Sequence, residues 1–279
     1  MTPYICATCG LQYPPTSAPP AVCTICTESR QYVAPEGQAW ITPAQLRRRH
    51  ANHVAPVEPG LHAIHSAPRF AIGQRAFLVE TGEGNILWDC VTLLDEPTEA
   101  RVRELGGLAA IAICHPHYYA AMARWSEVFG CPVYVHAADR RWVVYPADDT
   151  RYFETDTLAL PGGCTLVRTG GHFAGSTVLH WPAGAAGRGV LLTGDSLKTT
   201  SNLEHVSFVR SSPNDLPLSA DDADEIVRRL EPYAFDRLYS FRRDMVLPNG
   251  AKDIVRASAK LHREALAGRY PGGTALANR

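Results

Sequence analysis

The sequence predicts an α/β fold in which two β-sheets are enclosed by a few helices, preceded by a small four-cysteine module. Short apolar segments separated by glycine and proline turns recur through the chain after residue 70, and this pattern is typical of strands. Only a few segments show the spacing of amphipathic helices. The first 35 residues differ from the rest, because they hold half of the eight cysteines and are too short to bury a core alone.

The N-terminal cysteines form two C-x-x-C pairs, which is the spacing of two metal knuckles. Thirteen residues separate the pairs, and this loop contains two Pro-Pro dipeptides. Four thiolates supply a tetrahedral shell for one metal ion, and the bound metal supplies the folding energy that so small a module lacks. The predicted ligands are Cys6, Cys9, Cys23 and Cys26.

Residues 4–14, with the sequence YICATCGLQYP, resemble the first knuckle of a rubredoxin. The short gap before the second knuckle is similar to the rubredoxin-like tail of rubrerythrins, and zinc ribbons share this layout. Four cysteines suit either zinc or a single iron ion. Zinc is favoured here, because a closed thiolate shell needs no redox partner and the sequence shows none elsewhere. Iron is the alternative.

The rest of the chain divides into a linker and one main domain. Residues 36–59 are predicted to form a linker helix that Thr42 caps. The main domain is predicted to span residues 60–279, and its first hairpin turns at 82–84 and ends at Asp89. The elements predicted after this hairpin are a helix over 98–105, a buried strand over 108–114, a helix over 118–129, a strand over 132–135, four short strands within 157–193, and helices over 220–230 and 252–267.

Three separate strand ends carry residues suited to chemistry. His115 and His117 follow the buried strand, and their spacing allows both imidazoles to face one ion. His172 lies in the glycine-rich segment GGHFAGST, and Asp195 lies in TGDS. Three histidines and a carboxylate on converging loops would complete a catalytic type of metal shell, and the glycines permit the tight turns that this convergence needs.

At these residues the chain resembles the metallo-β-lactamase superfamily, because Asp89, His-x-His, Gly-His-x-x-Gly-Ser and Gly-Asp occur in the same order. The resemblance implies an αββα sandwich with a metal centre between two facing sheets. It also implies that His115, His117 and His172 bind the first metal. Asp195 would be the carboxylate that normally bridges two metals, and Asp89 would support the site from behind the ligands.

The chain departs from the superfamily pattern at the second metal site. Tyr119 and Ala120 stand where the superfamily has an aspartate and a histidine, and the segment 235–244 lacks the usual closing histidine. The sequence therefore predicts one metal, zinc or iron, at the three-histidine site. Asp195 and Tyr119 are the predicted catalytic residues. Asp195 would orient a metal-bound water, and the Tyr119 phenol would hydrogen-bond that water or a substrate oxyanion, unless it only packs at a helix start.

These residues predict a metal-dependent hydrolase of a small-molecule ester, thioester, lactone or amide, because a metal at such a site polarises a carbonyl and lowers the pKa of bound water. Two alternatives come from other classes. An iron-dependent oxidoreductase would pass electrons from a rubredoxin-like module to iron at the histidines. A binding protein with a degenerate metallo-β-lactamase centre would keep the fold without catalysis.

Charge and composition argue against other partners. The chain has 27 Lys and Arg against 28 Asp and Glu, so it has no electrostatic excess for nucleic acid or an anionic membrane. The longest apolar stretch, 105–114, is about half the length of a bilayer-spanning helix. We therefore expect a cytoplasmic protein with a small-molecule substrate, and leave the oligomeric state open. Frequent Ala, Arg and Pro suggest a bacterial source. The cysteines predicted to be reduced core thiols are Cys90, Cys114, Cys131 and Cys164.

Overall fold

A computed structural model of the chain describes residues 1–241 and 244–269. Two large β-sheets face each other and helices pack outside them, as the sequence predicts. The end of the predicted main domain, residues 270–279, lies outside the described residues. No helix of the described part is both long enough and apolar enough to cross a membrane.

A small two-stranded sheet holds the N-terminal module to the segment that follows it. Strand β1 (Ile5–Cys6) pairs antiparallel with β2 (Trp40–Ile41), and helix α1 (Pro43–Arg47) comes next. Thr42 caps this helix as predicted, since its hydroxyl accepts a hydrogen bond from the Gln45 amide. The helix is only five residues long, and most of the remaining linker is extended.

The larger sheet has seven strands in sequential order. Its first four strands are antiparallel and the following pairs are parallel. The strands are β3 (Ala51–Glu58), β4 (Leu61–Ala67), β5 (Arg75–Val79), β6 (Ile86–Trp88), β7 (Ala110–Ala112), β8 (Val133–His136) and β9 (Thr150–Phe153). The first of these falls in the predicted linker 36–59, but it pairs with β4 along nearly its whole length and is therefore part of the sandwich.

The smaller sheet has six strands, and two hairpins lie between its fourth and fifth strands along the chain. In spatial order the sheet strands are β10 (Thr157–Ala159), β11 (Thr165–Arg168), β12 (Thr177–Trp181), β13 (Val190–Leu192), β18 (Arg237–Tyr239) and β19 (Val246–Leu247). The hairpins are β14 (Lys198–Thr199) with β15 (Val206–Ser207), and β16 (Val209–Ser211) with β17 (Leu216–Pro217).

The longer helices match the sequence predictions to within two residues, except one. The helices after α1 are α2 (Glu96–Glu104), α3 (Met122–Phe129), α4 (Gly184–Gly187), α5 (Ala220–Leu230) and α6 (Ala251–Leu266). The helix predicted over 118–129 begins later, at Met122, because a 3-10 turn occupies Pro116–Tyr118 and Ala120 has a φ of 39°. This break separates the histidine loop from the helix.

Side-chain alternation along the strands of the smaller sheet creates two core layers. Leu166 and Leu179 belong to the cluster between the two sheets. Their neighbours Val167 and Val178 belong to a second cluster with residues of α5 and α6. The four N-terminal cysteines belong to the first cluster, so the module shares its core with the sandwich.

Candidate metal centres

The two C-x-x-C pairs converge as predicted. Their four Sγ atoms lie within 4.8 Å of one another, and all four side chains are buried. Sγ of Cys6 lies 3.5 Å from Sγ of Cys26, and Sγ of Cys9 lies 3.6 Å from Sγ of Cys23. A disulfide needs about 2.0 Å, whereas two thiolates at about 2.3 Å from one tetrahedral zinc lie roughly 3.8 Å apart. The spacing therefore fits a shared metal ion.

Gln38 joins the two knuckles, a contact that the sequence did not indicate. Its amide nitrogen donates to Sγ of Cys6 at 3.1 Å, and its amide oxygen accepts from the backbone amide of Cys23 at 3.1 Å. Hydrogen bonding among the neighbouring thiols lowers the pKa of Cys6 and Cys23 and raises the pKa of Cys9 and Cys26. Ionisation of all four thiols in this volume would require a nearby cation, and a bound metal would supply it.

The predicted histidine and aspartate ligands come together where three strands end. His115 and His117 follow β7 of the larger sheet. His172 lies in the loop after β11, and Asp195 follows β13, both in the smaller sheet. All four are buried, and their ligand atoms lie within 4.8 Å of one another. The two sheets therefore contribute to one cluster.

The ligand atoms of this cluster face one another. Oδ2 of Asp195 lies 3.5 Å from Nε2 of His115 and 3.7 Å from Nδ1 of His117. It lies 3.8 Å from Nε2 of His172, which is also 3.3 Å from Nδ1 of His117. Among the described residues, Nε2 of His115 and Oδ1 of Asp195 are buried without a hydrogen-bond partner. Buried polar atoms need a partner, and a metal ion with its ligated water fits this arrangement.

The protonation states also suit a metal. Burial lowers the pKa of His115 to about 4 and that of His172 well below its usual range. Nδ1 of His172 lies 3.3 Å from the carbonyl oxygen of Val209, so Nδ1 carries the proton and Nε2 presents its lone pair to the cluster. Burial opposes ionisation of Asp195, but the imidazoles of His115 and His117 outweigh it and lower its pKa. Neutral imidazoles and an ionised carboxylate are the forms that ligate metals.

Asp89 supports the turn that leads to His115, as the resemblance implies. Asp89 has a φ of 64°, and its Oδ1 accepts a hydrogen bond from the backbone amide of Cys114 at 2.8 Å. Burial raises the pKa of Asp89 to about 8. Gly194 packs against Cys114, since a Cβ at position 194 would lie 2.6 Å from its Sγ. The ligand loop is therefore held from behind by close, buried contacts.

Two adjacent tyrosines differ in what they contact. Tyr119 is buried, and its hydroxyl donates to the carbonyl oxygen of Asp139 at 3.3 Å. The ring of Tyr118 lies 5.2 Å from the ring of His115, and Tyr118 lines the cavity beside the cluster. A catalytic role for Tyr119 stays a prediction. Tyr118 is the tyrosine that the structure brings to the site, and its position directly after His117 was the available sequence signal.

A cavity of about 140 Å³ adjoins the cluster. His117, Tyr118 and Asp195 line it on the sandwich side, and Gln31 and Tyr32 of the N-terminal module also line it. A larger cleft of about 650 Å³ shares part of the same wall. The residues common to both are Arg69, Ile72, Gln74 and Phe241. A small molecule in the cleft can therefore approach the cluster.

Comparison with solved structures identifies the fold. DIM-1 metallo-β-lactamase matches with a TM-score of 0.55 and 14% identity, covering 74% of this chain and 97% of that chain. FIM-1 metallo-β-lactamase from Pseudomonas aeruginosa, in its mono-zinc form, matches with a TM-score of 0.56 and 15% identity, covering 77% and 96%. MEM-A1, a subclass B3 metallo-β-lactamase from a soil metagenome library, has a TM-score of 0.53 and 15% identity, covering 79% and 98%.

The two facing sheets and the ligand cluster at their strand ends define a metallo-β-lactamase fold, here combined with an N-terminal four-cysteine centre. The resemblance inferred from the sequence motifs is thus confirmed. The chain belongs to the same family as the uncharacterized protein YmaE of Bacillus subtilis (strain 168), with which it shares 41% identity over 259 residues. That match covers 92% of this chain and 94% of YmaE. No protein-family model matches the chain.

We expect two metal equivalents per chain, one at each cluster. Cys9→Ser combined with Cys26→Ser should remove one equivalent and leave the other, because the two ligand sets share no residue. His115→Ala should do the converse. Elemental analysis of the purified variants in metal-free buffer measures both. Three equivalents in the wild type, or unchanged metal content in the cysteine variant, would contradict this assignment.

Gly194→Ala should weaken metal binding at the histidine cluster about tenfold, because the new Cβ would meet the buried Sγ of Cys114 beside His115. Gly187→Ala is the matched control. Both glycines have positive φ, 52° and 81°, so both variants carry a backbone strain of about 1–2 kcal/mol. Only open space surrounds position 187. Equal metal affinities in a chelator competition would show that the Gly194 contact does not position the cluster.

Proposed function

We propose that the chain is a metal-dependent hydrolase of a small-molecule ester, thioester, lactone or amide, with a single metal held by His115, His117, His172 and Asp195. The observation that carries the proposal is the set of four buried ligand atoms within 4.8 Å of one another. Asp195 and His117 also line the adjoining cavity, so a ligand in the cavity can contact the cluster.

Packing at positions 119 and 120 supports one metal rather than two at this cluster. The Tyr119 hydroxyl donates a hydrogen bond to the carbonyl oxygen of Asp139. The carbonyl oxygen of Ala120 accepts a hydrogen bond from the backbone amide of Gln12 at 3.0 Å. Within residues 1–241 and 244–269, only the two clusters described above gather three or more potential ligands. The protein would then hold one metal in each cluster.

Zinc is our proposal for both clusters. Thiolate sulfur, imidazole nitrogen and carboxylate oxygen are the ligands that zinc prefers, and the similar FIM-1 structure is a mono-zinc form. Iron is the alternative at either cluster, and intense visible absorption by the purified protein would support it at the four cysteines. We also propose that residues 1–35 fold around the four-cysteine metal, while the sandwich begins with β3 rather than at residue 60.

A bound metal would polarise the substrate carbonyl and lower the pKa of water, and the surrounding side chains would complete the chemistry. Asp195 is ionised, and its Oδ1 has no partner among the described residues, so it can hold a water molecule in place. The low pKa of Asp195 makes it a weak base, so its carboxylate is better suited to orient the water than to accept a proton from it. Burial raises the pKa of Tyr118 well above its usual range, so the protonated phenol can donate to an oxyanion.

Turnover of a chromogenic ester tests the proposed reaction class. Metal-loaded protein should hydrolyse 4-nitrophenyl acetate or at least one of a simple acetyl thioester, a γ-lactone and an acetyl anilide. His115→Ala should lose this activity while it keeps the four-cysteine metal, which excludes general loss of folding. If both metals are present and none of the four compounds is hydrolysed faster than by His115→Ala, the hydrolase proposal fails.

Tyr118→Phe should lower kcat on the best of these compounds by about 10²-fold while metal content is unchanged, because it removes one donor to the developing oxyanion. Tyr119→Phe is the matched variant at the next residue. Its hydroxyl donates to Asp139, so we expect lower thermal stability and little change in kcat. The reverse ranking of the two kcat values would return the catalytic role to Tyr119.

A further inference from the structure

We propose that the four-cysteine module is a working part of the histidine-site cavity: residues 28–32 form a wall that selects the ligand, and Gln31 is the residue on that wall that contacts it. The inference rests on the proposed function and extends it, because it assigns the recognition of substrate to a segment outside the sandwich. It also gives the N-terminal metal a role at the other centre.

The wall continues directly from the second knuckle. The amide of Thr27 donates to the carbonyl oxygen of Cys23 at 3.1 Å, and its hydroxyl donates to the same oxygen at 3.0 Å. The amide of Glu28 donates to the carbonyl oxygen of Ile25 at 3.2 Å. Residues 28–32 are therefore oriented by the turn that carries two of the four thiolates.

The sandwich holds the same segment from the other side. Ser211 donates to the carbonyl oxygen of Arg30 at 3.0 Å, and Asn214 donates to the carbonyl oxygen of Ser29 at 3.2 Å. The Arg30 guanidinium lies 4.4 Å from the centre of the Phe173 ring, which itself stacks on His115. The segment is thus fixed over the residues that surround the histidine cluster.

Gln74 fixes the first knuckle beside the histidine loop. Its amide nitrogen donates to the carbonyl oxygens of Cys9, at 2.5 Å, and His117, at 3.1 Å. Thr92 donates to the carbonyl oxygen of Gly10 at 2.8 Å. The first knuckle is thus attached to the His117 loop, and the second is attached, through residues 28–32, to the β16–β17 hairpin that also lines the cavity. Displacement of the module would therefore change the cavity.

Gln31 is a polar residue of the wall whose side-chain oxygen is available to a ligand. It is 6% exposed, and its Oε1 is buried without a hydrogen-bond partner among the described residues. It lines the cavity together with Asp195 and Tyr118. The neighbouring Arg30 pairs with Glu28 and is not among the described residues that line the cavity, so Gln31 offers a neutral amide there. This arrangement suits a carbonyl compound with an N–H or O–H donor beside the reacting carbonyl.

Two small thiols of matched size test the role of Gln31, since a thiolate binds zinc and the remaining group then lies in the cavity. Mercaptoacetamide carries an N–H donor, and methyl mercaptoacetate does not. Calorimetry with metal-loaded full-length wild-type protein should show that mercaptoacetamide binds about fivefold more tightly than methyl mercaptoacetate. Gln31→Leu should remove this preference with both metals retained. Glu36→Ala, an exposed change in the same region, should preserve it.

An equal preference in Gln31→Leu and the wild type, or none in the wild type, would overturn the wall proposal while the metal site stands. If neither thiol binds in a way that requires His115, the ligand site and the proposed function both fail. Cys9→Ser with Cys26→Ser should also lose the preference while the histidine-site metal remains. If the double cysteine variant keeps the preference, the proposed role of the module metal is wrong. If the double cysteine variant does not fold, Gln31→Leu still tests whether the wall contacts the ligand.

Discussion

The backbone of Cys114 is the point on which both sheets and the histidine cluster depend. Its amide donates to Asp89, which follows the last antiparallel strand of the larger sheet, and its carbonyl oxygen accepts from the amide of Thr177 at 2.9 Å. Thr177 begins β12 of the smaller sheet. These buried bonds are costly to leave unmade, so the peptide groups on both sides of Cys114 have fixed positions. Because His115 is the next residue, these bonds also fix its distance from His172 and Asp195, the ligands that the smaller sheet contributes.

The features that could be predicted from the sequence are those that local patterns encode. The order of the histidine and aspartate motifs predicted the convergence of His115, His117, His172 and Asp195, and the structure brings their ligand atoms together. The cysteine spacing predicted the N-terminal cluster in the same way. Helices α5 and α6 lie within one residue of their predicted ranges, because local signals mark their ends. Ser219 caps α5, since its hydroxyl accepts a hydrogen bond from the backbone amide of Asp222.

The features that were missed depend on contacts between distant segments. The local sequence preferences of residues 51–58 are weak, so the sequence alone places them in a linker. In the structure these residues form β3, because hydrogen bonds to β4 override those preferences. Helix α3 begins only at Met122, because Ala120 adopts a left-handed backbone conformation. An alanine in the sequence does not predict such a conformation. Gln31, Gln38 and Gln74 carry no charge and follow no periodic pattern, yet each serves at a junction between segments. Neutral residues that hydrogen-bond between distant segments are therefore the part of this site that is hardest to predict from the sequence.

The order of the ligands along the chain affects how the two centres assemble. All four thiolate ligands lie within the first 26 residues, whereas the histidine cluster needs residues from 115 to 195. Closing the longer loop costs more chain entropy and requires both sheets. During synthesis, the N-terminal centre can take its metal while Asp195 is still to be translated. The loop around Ala120 would then meet a segment that is already folded, since its carbonyl oxygen accepts a hydrogen bond from the backbone amide of Gln12.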